Sequence, residues 1–249
     1  MKIIQKSKEK LIFSAEINES LANAIRRSVN EIPILAIDEV EIYKNDSALY
    51  DEIIANRLGL VPLKMEKNMN LKEECTCKGK DCAKCTVQLK LKAKGPCIVY
   101  SEDLKGKADV VYEKMPIVIL NEDQEMEILA FARLGKGKNH AKFSPGLVYY
   151  RNLADIEIKN CNACKKCVEA CPIGLISCEK KAEVKDVWKC YMCEACVEVC
   201  KKEGNDCIKI SPNKEVIFFI ESWGQMNAPE IFNEAIDALR DNLKQVEKA

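Results

Sequence analysis

The cysteines are the residues of this chain whose type and spacing could do chemistry. Cys161, Cys164, Cys167 and Cys171 are spaced C-x2-C-x2-C-x3-C, and Cys190, Cys193, Cys196 and Cys200 repeat that spacing at an offset of 29 residues. Three thiolates two residues apart can wrap one face of a cubane iron–sulfur core. In such paired runs the fourth cysteine, a short helical turn further on, ligates the other core. The spacing therefore predicts two 4Fe–4S clusters. One would be held by Cys161, Cys164, Cys167 and Cys200, the other by Cys190, Cys193, Cys196 and Cys171. Pro172 follows the first run as expected, but Lys201 follows the second, which loosens that turn without removing the ligand. Zinc knuckles or spare thiols are the competing reading, and two matching runs in one stretch weigh against it. Cys178 and Cys207 lie outside the pattern and are predicted to be small buried fillers.

A third knot precedes these. Cys75, Cys77, Cys82 and Cys85 read C-x-C-x4-C-x2-C, with Gly79 at the bend. Four thiolates within eleven residues can surround a tetrahedral zinc ion, although an empty or oxidised loop fits the same letters. Residues 64–94 carry nine lysines against four acids, a basic patch that reads as solvated surface before it reads as a nucleic-acid contact. Cys97, after Gly95 and Pro96, reads as a buried turn residue.

Composition narrows the classes. The 249 residues suggest two or three domains, and 47% apolar with 31% charged residues describes a chain able to bury a core. A secreted disulfide scaffold would be shorter and would spread its cysteines. The odd count of 15, clustered, with no apolar signal core at the N-terminus, points to the cytoplasm. The longest apolar runs, such as Val216 to Ile220, are too short to span a bilayer. One histidine, His140, excludes most histidine-based catalysis and reads as structural. Thirty-nine basic against thirty-nine acidic residues argues against a free-standing nucleic-acid binder. Two oxidised clusters and a four-thiolate zinc, at about −2 each, would bring the loaded chain near −6.

Several elements must position these thiols. Lys10 to Ile17 reads as a strand, with Ile3 and Ile4 in the strand or turn before it. Asn18 then caps a helix from Glu19 to Glu31 that Pro33 ends. Leu21, Ala22, Ile25 and Val29 share one face of it, and the adjacent Arg26 and Arg27 are solvated or touch a partner subunit. Val40 and Ile42 alternate as in a half-buried strand, and Glu52 to Leu60 reads as a second helix. Thr86 to Lys94 alternates cleanly, and shorter strands are expected at 98–100, 109–112 and 116–120. Met126 to Leu134 fits either helix or strand, Gly135 to Lys138 reads as a turn, and Phe143 to Arg151 as a strand. Ile156–Ile158 and Ile208–Ile210 bracket the cluster segment, and Val216 to Ile220 is an apolar strand. Pro229 to Val246 is a long helix with Asn227 near its start. Its stripe of Phe232, Ala235, Ile236, Leu239, Leu243 and Val246 needs a surface, either the chain's own sheet or a helix of a partner.

Three of these segments together carry a resemblance. Leu21 to Pro33 with Ala36 to Ile42 resembles the assembly motif of RNA polymerase α-type subunits, and Glu52 to Leu63 resembles that family's second signature. Phe143 to Arg151 is similar to the strand that re-enters its first domain. With the cluster segment, nearly the whole chain resembles the archaeal branch of that family, the counterpart of the bacterial α N-terminal domain and of the eukaryotic third-largest subunit. The resemblance implies an α+β chain of three parts. These are a discontinuous α-type dimerisation domain (1–43, 144–158 and 213–249), an inserted mainly-β domain with the four-cysteine knot (44–143), and a ferredoxin-like iron–sulfur domain (159–212). It also implies a non-catalytic assembly subunit of DNA-directed RNA polymerase. Such a subunit pairs with the small L subunit through the helices at 19–31 and 229–246, joins the small N and P subunits, and supports the large catalytic subunits. DNA would be met only through the assembled complex. The alternative is a ferredoxin-like electron carrier with a helical dimer appended, against which stands the absence of any flavin or nicotinamide fingerprint.

Overall fold

Apolar and polar residues alternate at 86–94 and recur three to four apart at 228–247, and these two periods become a strand and a helix. The computed structural model describes residues 1–64, 69–78 and 80–248. In chain order the first half runs β1 (Lys2–Lys6), β2 (Lys10–Glu16), α1 (Glu19–Ser28), β3 (Pro33–Asn45), α2 (Asp51–Gly59), β4 (Thr86–Lys94), β5 (Cys97–Tyr100), β6 (Lys105–Gly106) and β7 (Pro116–Leu120). Then come β8 (Glu125–Lys136), β9 (Gly146–Ile158), α3 (Lys166–Ala170), β10 (Ile176–Cys178), β11 (Ala182–Val184), α4 (Ala195–Lys202), β12 (Ile208–Ser222) and α5 (Ala228–Glu247). Among the described residues no helix is long and apolar enough to cross a membrane.

The contacts divide the chain into two compact units. One comprises Met1–Lys6, Leu11–Asn23 and Tyr149–Phe219. Its main sheet has the order β1-β2-β12-β9, and β10 pairs with β11 as a separate antiparallel hairpin. Phe13 and Phe218 stack at 5.2 Å, and Ile12, Ile217 and Phe219 bury a small core with Ile4 and Trp188. At the entrance to α1 the Asn18 Oδ1 accepts the Leu21 N–H at 2.8 Å, which satisfies one of the helix's orphan donors.

The other unit comprises Ser7–Lys10, Ala24–Val148 and Ile220–Ala249. Its sheet has the order β3-β8-β4-β6 and is antiparallel throughout, with Leu91 opposite Ile128 and Leu35 opposite Leu134. The inward set Leu35, Ile37, Leu89, Leu91, Ile128 and Ala130 meets Ile54 and Leu58 of α2. Each large aliphatic chain buried there contributes about 1.5–3 kcal/mol. A capping box at Asn227 and Glu230 starts α5, which packs on the 3-10 turn Val29–Glu31. Ala228, Ile231 and Ala235 are buried, while Leu243 and Val246 further along are 56% and 73% exposed. The chain's own structure therefore covers only the first half of the predicted stripe.

Four local expectations are corrected. The first helix is α-helical only to Ser28, whose Oγ turns back to the Ala24 carbonyl at 2.9 Å, and the chain then tightens into the 3-10 turn before Pro33. Leu21 is 43% exposed and does not share the buried face of Ala22, Ile25 and Val29. Among the described residues the segment 109–112 forms a single bridge, from Val110 to Leu63, and on one side of it Pro62 has no N–H to extend a ladder. Gly135 is a strand residue paired with Ile34, not a turn. Its lack of a side chain serves packing, since a Cβ there would lie 2.6 Å from the Phe143 ring. The ambiguous 126–134 segment is strand.

Gly135→Ala should therefore destabilise this unit by about 1–3 kcal/mol, the usual cost of overpacking a well-filled site. Urea unfolding checks it, and an unchanged midpoint would contradict the packing role.

Candidate metal centres

All fifteen cysteines are free thiols, and the structure gathers those of the first knot into one cage. The sulfurs of Cys75, Cys77, Cys82 and Cys85 lie within 4.8 Å of one another, with Cys75–Cys82 at 3.5 Å, Cys77–Cys85 at 3.6 Å and Cys82–Cys85 at 3.8 Å. Zn–S bonds of about 2.3 Å give a tetrahedral edge of about 3.8 Å, so the cage has the size of a four-thiolate zinc site. The proposed bend at Gly79 lies outside the described residues. A favourable Cys77 N–H does not offset the crowding. The sulfurs of Cys77, Cys82 and Cys85, together with burial, push the Cys75 thiol up to about 12.

The two later runs have repeated backbones as well as repeated letters. Ala163 and Lys165 flank Cys164 at φ of +58° and +63°, and Met192 and Glu194 flank Cys193 at +56° and +60°. Left-handed conformation at non-glycine residues costs about 1–2 kcal/mol each, and four such residues at matched positions persist only where the surroundings require them. They turn successive N–H groups inward, the arrangement that cradles anions at iron–sulfur sites. The third cysteine of each run, Cys167 or Cys196, opens a helix, α3 or α4, and both are buried. Cys164 and Cys193 are exposed.

Cys171 lines the same apolar cavity as Cys190, Cys193 and Cys196, walled by Ile156, Leu175, Ile176 and Ile208. Burial, then the charges of Cys190, Cys193 and Cys171, push the Cys196 thiol up to about 11. The Leu175 N–H donates to the Cys171 sulfur at 3.3 Å. In the first run the Ala163 and Ala182 N–H groups lower the Cys161 pKa, the latter donating at 3.4 Å. Burial, then the charges of Cys161, Cys178 and Cys164, raise that of Cys167. Cys200 is buried in α4.

Cys178 and Cys207 are more than fillers. Cys178 is half-buried and interacts with Cys161, while Cys207 is buried, hydrogen-bonds to Cys200 and donates to the Asn160 carbonyl at 3.1 Å. The same 29-residue offset relates them, a signal that was present in the sequence. Cys97 is half-buried at the start of β5, not in a turn. His140 caps the short 3-10 turn Ala141–Phe143 by accepting the Lys142 N–H at 3.1 Å, a structural part.

Two arginines that the spacing did not single out hold these loops. Arg151 of β9 donates to the carbonyls of Cys190 at 2.6 Å and Trp188 at 2.7 Å, with its plane 5.1 Å over Phe219. Arg133 of β8, only 5% exposed, reaches Glu39 at 2.8 Å, Asp81 at 3.1 Å and Asp38 at 3.3 Å. Asp81 stands directly before Cys82.

With this geometry in hand, comparison with known proteins is decisive. Residues 40–146 match the model of the RNA polymerase Rpb3/RpoA insert domain, and residues 154–201 match a 4Fe-4S dicluster domain. The chain is 36% identical to DNA-directed RNA polymerase subunit Rpo3 of Archaeoglobus fulgidus, over 92% of this chain and 89% of the relative. It is 39% identical to the Rpo3 subunit of Methanothermobacter thermautotrophicus, over 97% and 95%. The chain belongs to the Rpo3 family of RNA polymerase subunits. The Rpo3 subunit of Pyrococcus horikoshii, 36% identical over 96% and 93%, is similar in the same way. Within the Rpo3 family assignment, the insert-domain match contains the first knot and the dicluster match contains both later runs.

Cys75 is a neutral thiol in the empty knot and a thiolate in a loaded one, so loading expels its proton and affinity must rise with pH. Cys75 alone should give about tenfold tighter zinc binding per pH unit across the neutral range. Chelator competition at pH 6.5 and 7.5 measures the slope, and a flat profile would remove Cys75 from the ligand set.

Proposed function

We propose that this chain is a non-catalytic assembly subunit of a DNA-directed RNA polymerase, acting as a platform and not as a reaction centre. The observation that carries it is the match to Rpo3 subunits over nine-tenths or more of this chain, at 36–39% identity, with the insert and dicluster domains in one polypeptide. The partners are those the family resemblance implies: the small L subunit as heterodimer mate, the small N and P subunits, and the large catalytic subunits. DNA is met only through that assembly, in the cytoplasm.

The division into a dimerisation domain (1–43, 144–158, 213–249), an insert (44–143) and a ferredoxin-like domain (159–212) is part of this reading. The family-model spans 40–146 and 154–201 support its two inner boundaries. The exposed Leu243 and Val246 end of α5 supports helix pairing with the L subunit, since a desolvated apolar seam drives such association.

Cys161, Cys164, Cys167 and Cys200 would hold one 4Fe–4S cluster, and Cys190, Cys193, Cys196 and Cys171 the other. Cys75, Cys77, Cys82 and Cys85 would hold one zinc. Bound clusters supply cross-links and one-electron redox capacity, and a four-thiolate zinc supplies a cross-link with no open coordination position. The chain's own residues do the rest. The left-handed pairs around Cys164 and Cys193 shape the loops on either side of those cysteines, and Ile156, Leu175 and Ile208 give the second set an apolar wall. The roles left to the clusters are folding a segment with little core and sensing redox state or iron supply.

Anaerobic purification tests the function. Stoichiometric recovery with large polymerase subunits is expected, and a free dimer that reduces a partner dehydrogenase would overturn it in favour of the electron-carrier reading. Cys167→Ser or Cys196→Ser should unfold the ferredoxin-like domain, with loss of iron, yet leave pairing with the L subunit intact. Loss of the heterodimer in these variants would refute domain independence. Leu243→Asp should abolish that pairing while changing the stability of the isolated chain by no more than about 0.5 kcal/mol. Size-exclusion chromatography and urea unfolding separate the two effects.

A further inference from the structure

We propose that Asp81 is a positioning residue of the four-cysteine knot, and that Arg133 locks Asp81 in place so that the buried arginine of the sheet sets the knot's affinity for a divalent cation. The proposal rests on the reading of the knot as a metal site. Asp81 lies between the two cysteine pairs, immediately before Cys82, in the left-handed conformation at φ of +48°. Its carboxylate takes the Lys72 ammonium at 3.1 Å, the Thr86 hydroxyl at 3.0 Å and the Arg133 guanidinium at 3.1 Å. Lys72 lies three residues before Cys75, and Thr86 directly follows Cys85. One side chain thus ties the segment that enters the knot, the loop that crosses it and the strand that leaves it.

Arg133 gives that hub a fixed origin. It sits on the central strand β8, opposite Thr86 in the β4 register and opposite Ala36 in the β3 register. The β3 register shifts between Ile37 and Glu39, and this bulge lets Asp38 and Glu39 both reach the same guanidinium. Lys142 holds Asp38 from the far side at 2.8 Å. The planar fork of an arginine suits this role, because it engages several carboxylates in fixed directions. Without the hub, four thiols would be gathered from a loose loop and the ordering cost would fall on metal binding. With the hub in place, the four sulfurs already stand within 4.8 Å of one another, three of the pairs at 3.5–3.8 Å.

Two physical effects of Asp81 have opposite signs, which makes the idea testable. As a bare charge, Asp81 opposes the anionic loaded centre, so its neutralisation would tighten binding. As a positioning residue, its loss loosens the cage and weakens binding. Asn is tolerated at positive φ, but its amide would face at least one of the three donors, so Asp81→Asn separates the two.

The experiment uses the full chain with its iron sites reconstituted, zinc in competition with a chromophoric chelator, and cobalt(II) as a spectroscopic probe. Asp81→Asn and Arg133→Met should weaken zinc binding by about ten- to a hundredfold, the usual effect of losing an outer-shell partner, and Thr86→Val by less. At saturation each should keep the cobalt–thiolate charge-transfer bands of wild type, with melting of the zinc-free protein unchanged and the loaded protein melting lower only by the affinity lost. Arg133→Met leaves three carboxylates facing one another. Should it not fold, Asp81→Asn and Thr86→Val carry the test. Unchanged or tighter zinc binding in Asp81→Asn would overturn the proposal, as would a fall in the melting temperature of the zinc-free protein large enough to account for the affinity lost. Wild type that takes up no zinc at Cys75, Cys77, Cys82 and Cys85 would instead overturn the metal reading, and the proposal with it.

Discussion

Sulfur crowding is the constraint on which the rest of this structure depends. Four thiols gathered within 4.8 Å of one another would place four negative charges in one cage if all were thiolates, which a cation offsets. Against a favourable Cys77 N–H, the neighbouring sulfurs together with burial raise Cys75 to about 12, and burial, then the charges of Cys190, Cys193 and Cys171, raises Cys196 to about 11. Such sets persist because surrounding elements hold them, and the surrounding elements in turn have little apolar surface of their own. The hairpin β10–β11 has three residues in each strand, and α3 has five. Segments this short gain too little from burial to order themselves, so a bound cation that neutralises the thiolates also becomes a large part of the local folding energy.

The devices that hold the thiols differ between the two kinds of centre. Around the paired runs the backbone does most of the positioning, through left-handed residues on either side of Cys164 and Cys193 and N–H groups directed at sulfur. Around the first knot side chains do it, through a carboxylate that accepts from a lysine, a threonine and a buried arginine. The difference matches what the proposed clusters and the proposed zinc would each need. A cubane carries diffuse charge that several peptide dipoles can share, whereas a four-thiolate zinc shell is filled by its own ligands and depends on the loop's shape. Arg151 plays the comparable anchoring part for the second run, tying the Cys190 carbonyl to β9.

Membership of the Rpo3 family gives these centres their setting. The aliphatic core of the β3-β8-β4-β6 sheet stands on its own, while Leu243 and Val246 of α5 remain open to solvent. An exposed apolar helix end fits the proposed role of a platform subunit, because burying such a surface against a neighbour is favourable.

By itself, the sequence determined the chemistry and most of the elements. Cysteine spacing is local, so the two C-x2-C-x2-C-x3-C runs and the compact knot could be read without coordinates. The strict alternation of 86–94 and the capping signals at Asn18 and Asn227 likewise depend only on near neighbours. The tertiary structure alone decided what depends on distant residues. Gly135 proved to be a strand residue beneath Phe143, the first helix tightened at Ser28, and Cys178 and Cys207 came to lie beside Cys161 and Cys200. Above all, Arg133, Asp81 and Asp38 lie far apart in the chain and carry no spacing signal. Their meeting is set by strand register and by one bulge, and register is a property of the folded sheet.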